Sequence, residues 1–516
     1  MRWLRSYNAS SLAGDATAGL IVTVMLIPQS LAYAMLAGLP PQAGLYASIL
    51  PLVAYAALGS STTLAVGPVA VISLMTAAAL APLAPAGSPE YAAAAVLLAF
   101  LSGLFLLAFA ALRLGFIAQF LSHPVIAGFI SGSAILIVLG QLKHVVGNAP
   151  TTAIGLGTIA FLAAARAWVP GLAGKLAPMA AIIVATALTA LFGFDVKVVG
   201  SVPQGLPRLV LPEMKWLAEL WMPALLISLV GFVESVSVAR SLGARRGERI
   251  APNRELAGLG AANVASALSG GFPVTGGFAR SVVNFDAGAR TPLAGVISAV
   301  LMAAALLGLT GLLHSLPHAV LAATIIVAVS SLIDWQALRE TWRYDRADTL
   351  AFLATAAGVL ALGVEAGVLA GVAISLGMIV WRASRPHIAV LGRVPGTEHF
   401  RNVKRHAVET RPELLVLRID ESLFFGNAAA VRDEIERLAA KEPRLRRVLL
   451  VLSAVNHIDA TALAMLDEVE RELAARGVSL CLAEVKGPVM DRLARTELGA
   501  RMKERVYLST HQAFQA

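Results

Sequence analysis

The run Gly270-Gly271-Phe272-Pro273-Val274-Thr275-Gly276-Gly277-Phe278-Ala279-Arg280 carries one guanidinium at the end of a stretch that cannot be ordinary helix. Glycine, proline and β-branched residues all disfavour a helix interior. Gly59-Ser60-Ser61-Thr62-Thr63-Leu64-Ala65-Val66-Gly67-Pro68 has the same character, and a short apolar helix-like run follows each stretch. The pattern predicts two half-helices. One starts near Pro68-Val69-Ala70, where Pro suits the first helical position, and the other near Ala279-Arg280. Free helix N-termini offer unpaired N–H groups and partial positive charge, which is the chemistry of an anion site. Two kinked helices without a ligand are the plain alternative.

Arg280 sharpens the reading, because a cation within an apolar span is costly and usually functional. It acts as a source of positive potential, snorkels to an interface, or pairs with Asp286. Glu234 lies inside the apolar run Leu225 to Val238. A buried carboxylate is either protonated or paired. Protonated, it can carry a proton with the anion; ionised, it coordinates Na⁺ or pairs with Arg280 in a fixed internal salt bridge. Gln29 and Tyr33 stand one helical turn apart and share a face. Both can donate hydrogen bonds to an oxyanion, and Tyr33 can equally be a packing residue. No catalytic constellation is visible. His123, His314 and His318 lack metal-ligand spacing, and no Gly-rich phosphate loop precedes a Lys-Ser/Thr pair, so no metal, nucleotide or other cofactor is expected.

The elements that position these residues belong in a membrane. The chain of 516 residues is 57% hydrophobic and 14% charged, against about 25% charged in soluble domains. Its net charge of +9 comes from basic residues between apolar spans rather than on one amphipathic face. That argues for positive-inside loops and against nucleic-acid binding. Cys481 is the only cysteine, so no internal disulfide is possible. No small-residue cleavage site follows the first apolar stretch, so no cleavable signal peptide is expected.

Fourteen segments, some short, are expected to begin near Ala13, Pro41, Pro68, Tyr91, Phe116, Thr151, Leu176, Trp216, Ile250, Ala279, Thr291, Leu316, Ala347 and Val364. An alternating count places Arg2, Arg5, Arg113, Arg166, Lys175, Arg245, Arg246, Arg249, Arg339, Arg343, Arg346, Arg382 and Arg385 on one side. Both termini are then cytoplasmic, with Lys143 and Lys215 on the other side. The chain also repeats itself. Pro28-Gln29-Ser30-Leu31-Ala32-Tyr33-Ala34 resembles Val233-Glu234-Ser235-Val236-Ser237-Val238-Ala239, and Pro41 to Gly59 has the spacing of Pro252 to Gly270. Seven spans per half, an odd number, make the second half inverted, which places a binding site near the bilayer midplane.

Composition changes near Ser384. Residues 1–385 read as the membrane domain, with repeats at about 12–195 and 216–385. Residues 386–395 read as a linker and 396–516 as a soluble domain. The last alternates strand (414–419), helix (428–440), strand (447–452), helix (460–475), strand (478–482) and helix (489–498), so a sheet covered by helices is expected.

Pro28 to Ala34, Gly67-Pro68-Val69-Ala70, Gly276-Gly277-Phe278-Ala279-Arg280-Ser281 and the domain order resemble the SulP family of anion transporters. Residues 451–466 resemble the central strand, loop and helix of a STAS domain. The resemblance implies a polytopic α-helical protein with a seven-plus-seven inverted repeat, divided into core and gate, plus a cytoplasmic α/β STAS domain. It implies a homodimer in a bacterial inner membrane and an elevator-like movement of the core. It implies binding of a small inorganic or carboxylate anion by Gln29, Tyr33, Val69, Ala70, Phe278, Ala279 and Arg280. Glu234 would serve the coupling ion, H⁺ by preference and Na⁺ as the alternative. Sulfate, bicarbonate and dicarboxylates are the expected substrate classes. The alternatives are a Na⁺-coupled bicarbonate symporter, an anion-sensing signalling protein with the STAS domain as output, and, least favoured, a nucleobase transporter. Where signalling relatives carry a phosphorylatable Ser after Asp, this chain has Ala460 after Asp459, which argues against the usual switch and leaves Asp459 or Thr461 as a helix cap.

Overall fold

The structure, a computed structural model, describes residues 7–119, 122–169, 171, 174 and 176–516; Arg2, Arg5 and Lys175 lie outside them. The chain divides into two compact units, Met1–Ser375 and Leu376–Ala516. The change of unit therefore falls ten residues before the expected end of the membrane domain. It lies inside one continuous helix, Val364–Ala383, and the expected linker 386–395 holds instead a strand, Ile388–Arg393, whose apolar residues pack in the second unit's sheet.

In the first unit, α1 (Ala9–Leu36) is followed by α2 (Pro41–Tyr46), α3 (Leu50–Leu58), α4 (Ala70–Leu80), α5 (Pro89–Ala111), α6 (His123–Val145), α7 (Ala149–Trp168) and α8 (Ala177–Phe192). The second half has α9 (Leu217–Ala244), α10 (Pro252–Leu268), α11 (Phe278–Asp286), α12 (Leu293–Gly308), α13 (His318–Ser330), α14 (Trp335–Tyr344), α15 (Arg346–Leu362) and α16 (Val364–Ala383). Each expected segment meets a helix. The fifth starts at His123 rather than Phe116, which lies instead in a 3₁₀ turn, Leu114–Gln119. The repeat is plain in the lengths. Both α1 and α9 run 28 residues with an internal proline, Pro28 and Pro223. Each half then has a helical segment, an unwound stretch, a two-residue strand and a short helix. The amphipathic α14 falls between the twelfth and thirteenth spans.

The helices sort into two groups. α5 packs on α9 and α10, α3 on α10 and α12, and α1 on α2, α11 and α12; α6 packs on α13 and α15, and α13 on α7. The first four spans of each repeat thus form one bundle and the last three the other, the expected core and gate. Small residues let the core helices approach: a Cβ on Gly103 of α5 would lie 2.9 Å from the Gly260 carbonyl oxygen of α10. The seam between the groups is apolar. Leu31, Tyr33 and Ala70 of the core share one cluster with Ala134, Ile137, Ile182, Leu321 and Ile325 of the gate.

The second unit holds a six-stranded sheet with strands β3 (Ile388–Arg393), β4 (Phe400–Asn402), β5 (Leu414–Ile419), β6 (Arg447–Val451), β7 (Ser479–Ala483) and β8 (Val506–Tyr507), in the order β4-β3-β5-β6-β7-β8. β5 to β8 are parallel, and β3 is antiparallel to both its neighbours. Alternation of period two divides the side chains between faces. Leu417, Leu450 and Leu482 join α17 (Ala428–Ala439) and α18 (Ala460–Ala475) in one core. Val416, Leu449 and Cys481 face Phe514 in another. Cys481 is therefore packing, and burial pushes its thiol up from its ordinary range. The expected last helix is two, Gly487–Leu493 and Glu497–Arg501, because Thr496 caps the second with a bond from Gly499 N–H.

Asp459, not Thr461, caps α18: its carboxylate accepts Ala462 N–H at 2.8 Å and Phe425 N–H at 2.8 Å. The Ala462 bond, with help from Phe425, holds the Asp459 carboxyl below the usual carboxylate range. A lowered folded value means that the stabilisation is complete above the unfolded value of about 3.9. It is lost as pH falls through the folded value. Asp459→Ala is expected to speed amide exchange over residues 460–466 of the full chain at pH 7, with little effect on the first unit's helices.

Candidate anion site

The two unwound stretches meet. Strand β1 (Val66–Gly67) pairs antiparallel with β2 (Thr275–Gly276), Val66 opposite Gly276 and Gly67 opposite Thr275. Gly277 N–H adds a bond to the Ala65 carbonyl at 3.1 Å. This two-residue ladder and its flanking bond satisfy part of the non-helical backbone within the protein, as apolar surroundings require. Side chains satisfy more of it. Ser281 Oγ accepts Ala65 N–H at 3.0 Å and donates to the Gly277 carbonyl at 2.7 Å. Asn284 donates to the Thr63 carbonyl at 2.9 Å. Asn263 of α10 both accepts from Val274 N–H and donates to the Val274 carbonyl, each at 2.9 Å. Thr275 Oγ1 donates to the Gly231 carbonyl, and Ser235 Oγ accepts Gly276 N–H, which anchors β2 to α9.

From this ladder the half-helices depart. α4 starts at Ala70 behind Val69, and α11 at Phe278 behind Gly277, and neither cap residue supplies a side-chain hydrogen bond. The first i to i−4 bonds are Ser73 N–H to Val69 and Ser281 N–H to Gly277. The preceding helix N–H groups are thus left to whatever lies in front of them. Val69 and Ala70 are buried, while Phe278 and Ala279 are exposed. α4 starts two residues after Pro68 and α11 one residue before Ala279, both within the expected stretches.

Arg280 is 2% exposed. Its Nη1 donates to the Pro68 carbonyl at 2.6 Å, across the ladder. Its Nε and Nη2 are buried without a hydrogen-bond partner among the described residues. It makes neither an ion pair with Asp286 nor a direct salt bridge with Glu234. A buried guanidinium with two unpartnered nitrogens is costly unless something else takes their N–H groups. Gly67 and Gly277 leave the room: a Cβ on Gly277 would come within 3.0 Å of Nη2.

Tyr33 of α1, Glu234 of α9 and Arg280 of α11 lie close enough for each charge to act on the others. Both α1 and α9 pack on α4 and α11. Gln29 is half-buried one turn from Tyr33 on α1. Glu234 opens, with Val230 and Val233, on a narrow cleft walled by Val125, Ile126, Phe129 and Ile130 of α6, so it faces the seam between core and gate. The eight sequence-predicted residues thus fall on four elements around the paired half-helices, and no direct hydrogen bond joins one of their side chains to another.

Sequence reasoning missed the supports. Glu255, in the first turn of α10, is fully buried. It accepts Tyr55 OH at 2.6 Å, Ser60 N–H at 2.8 Å, Ser60 Oγ at 2.6 Å and Ser61 N–H at 3.0 Å. Asp15, also fully buried, accepts Arg290 N–H at 2.7 Å and Thr291 N–H at 3.0 Å ahead of α12. Each carboxylate ties one repeat to the other's unwound backbone. In sequence an acidic residue in a first turn looks like an ordinary exposed one. Glu255→Ala strands several buried donors at about 1–3 kcal/mol each. The expected result is a fall in melting temperature and in the amount of membrane-inserted protein, larger than for Glu248→Ala, where one hydroxyl, Thr62 Oγ1, is the side-chain partner.

The sulfate permease family model matches residues 12–153 and 147–355, and the STAS domain model matches residues 405–513. A probable sulfate transporter of Mycobacterium tuberculosis is 36% identical over 542 residues, covering 99% of this chain and 96% of that protein. The chloroplastic sulfate transporter 4.1 of Arabidopsis thaliana is 35% identical over 557 residues, covering 100% and 81%. Among solved structures, the murine Slc26a9 anion transporter superposes with a TM-score of 0.92 at 21% identity, covering 100% of this chain and 93% of that one, a likeness of fold. The transmembrane domain of a cyanobacterial bicarbonate transporter, BicA, gives 0.63 at 26% identity, covering 71% and 98%. With both models matched in order and relatives aligned from end to end, the chain belongs to the sulfate permease family and carries a STAS domain after its membrane helices.

Proposed function

We propose that the protein is a secondary active transporter of small anions, of the sulfate, bicarbonate or dicarboxylate class, that moves its substrate together with H⁺. The observation that carries this reading is the meeting of two uncapped helix starts beside Arg280, whose Nε and Nη2 lack partners among the described residues. An anion in front of Val69, Ala70, Phe278 and Ala279 receives backbone N–H groups from both repeats, the two helix dipoles and a full positive charge. Gln29 and Tyr33 supply hydrogen bonds from α1. Glu234, on the seam, takes up and releases the coupling proton.

The division of the helices into core and gate favours an elevator-like movement, in which the core carries the site past the gate. The apolar seam offers a surface for sliding, and the arginine-rich loops favour cytoplasmic termini in a bacterial inner membrane. A homodimer would give the gate a fixed base in the bilayer. The relatives named as sulfate transporters favour sulfate. The likeness to a bicarbonate transporter's membrane domain keeps Na⁺-coupled bicarbonate symport as the second reading. The test is uptake of labelled sulfate, bicarbonate and succinate into proteoliposomes, with H⁺ and Na⁺ gradients imposed separately. Sulfate accumulation driven by an inward H⁺ gradient is the expected result. Bicarbonate accumulation driven only by Na⁺ would select the second reading, and binding without accumulation would select a sensor.

A further inference from the structure

Two cavities, a largely apolar one of about 370 Å³ and a more polar one of about 350 Å³, lie side by side where the end of α1 meets the gate, and His144 and His318 line both. The inner one is walled by Ala32 and Met35, which flank Tyr33 in α1, and by Gln141 of α6. The outer one is walled by Lys143, Asn148, Asp195 and Lys197. Segment 195–199 is pinned in place: His318 N–H donates to the Lys197 carbonyl and Val199 N–H to the Leu316 carbonyl, each at 2.9 Å. The side-chain amide of Asn148 holds the Asp195 carbonyl at 2.6 Å.

The charge here is unbalanced. Lys143 and Lys197 lie within electrostatic range of His144, and Lys197 and His144 within range of His318, so the two lysines are the fixed charges here. None has a side-chain hydrogen bond or ion pair among the described residues. Among the described residues, Asp195 is the one carboxylate lining either cavity. Gln141 is 7% exposed, and its amide has no hydrogen-bond partner among the described residues. Its amide faces the inner cavity with its hydrogen bonds unspent on protein, so an occupant of that cavity can take them. α13 begins at His318 with no side-chain cap, so its N–H groups add to the positive field.

We propose that Lys143, His144, Lys197 and His318 form an antechamber that holds a small oxyanion on the non-cytoplasmic side and delivers it along Gln141 towards the Tyr33 face of α1. The proposal rests on the anion-transport reading. The two lysines raise the local anion concentration and the rate of entry, while the imidazole N–H groups offer hydrogen bonds. They do so for substrate arriving from that side only, because substrate from the cytoplasm reaches the half-helices without passing them.

The test is labelled sulfate uptake by the full chain in right-side-out and inside-out vesicles of zwitterionic lipid. Lys143→Gln with Lys197→Gln, which removes both charges, and His144→Ala with His318→Ala, which removes both imidazole donors, are expected to raise KM fivefold or more in right-side-out vesicles. In inside-out vesicles KM stays within twofold, and the maximal rate stays within twofold in both. Lys143→Arg with Lys197→Arg keeps the wild-type KM. If the paired variants lower the amount of inserted protein, Gln141→Leu gives the same one-sided rise. An unchanged KM, an equal change on both faces, or a change that needs anionic lipid in the bilayer overturns the proposal. A wild-type chain that moves no sulfate from either face overturns the antechamber and the transport reading together.

Discussion

Arg280→Ala lowers the initial rate of anion uptake by roughly a hundredfold while leaving the protein folded and inserted. A unit charge about 6 Å from an anion, at an effective dielectric constant of about 20, contributes about 3 kcal/mol. That is about two powers of ten in occupancy or rate. The helix starts remain, so a residual rate is expected. Stability changes little, because the guanidinium has one hydrogen bond to lose, to Pro68, and no salt bridge. Arg280→Lys keeps the charge but reaches less far and donates without the planar fork, so it falls between the two. Initial rates of labelled sulfate uptake, normalised to inserted protein, check this. A rate within twofold of wild type in Arg280→Ala would remove the residue from the site.

Glu234→Gln is expected to abolish accumulation driven by a pH gradient while sparing exchange of internal for external anion. Glutamine keeps the shape and hydrogen-bonding reach of a protonated glutamate but cannot give up a proton. If Glu234 carries the coupling proton, the variant is locked in the loaded form, and the anion moves only down its own gradient. The side chain stands where such a role requires it. It feels the charge of Arg280 without forming a salt bridge to it, and it opens on the cleft towards α6. Uptake with and without an inward H⁺ gradient, beside counterflow at equal pH, separates the two activities. Accumulation still fully driven by protons would place the coupling group elsewhere, and loss of both activities would make Glu234 a packing or binding residue instead.

Much of this arrangement was legible because membrane backbone obeys few rules. Gly270 to Gly277 and Gly59 to Gly67 cannot continue a helix, and apolar surroundings leave such backbone little choice but to pair with protein. Pairing with each other is what the β1–β2 ladder does. Arg280 was visible as the cation in the wrong place. Its partner was not, since Pro68 O offers no sequence signal, and the expected carboxylates, Asp286 and Glu234, do not bind it directly. The buried roles of Glu255 and Asp15 were hidden for a related reason. Their ligands include backbone N–H groups some 195 and 275 positions away, and every residue type but proline carries an N–H. The antechamber was hidden too, because Lys143, His144, Lys197 and His318 come from three separate stretches of chain that only the gate's packing assembles. In the second unit, the near-continuous apolar runs of β5, β6 and β7 were readable to within a residue. β3 was read as linker because glycine and arginine interrupt its apolar run, and β4, β8 and the C-terminal helix are too short for periodicity to register.

The central claim is that the paired half-helix starts and Arg280 hold the transported anion. The most direct measurement is the position of selenate, located by its anomalous scattering in crystals of the full chain. A single strong peak between the starts of α4 and α11, within hydrogen-bond reach of their N–H groups and on the Arg280 side, is the predicted result. A chain that binds selenate in solution but shows it elsewhere, with the space before Ala70 and Phe278 filled by side chains, would contradict the account.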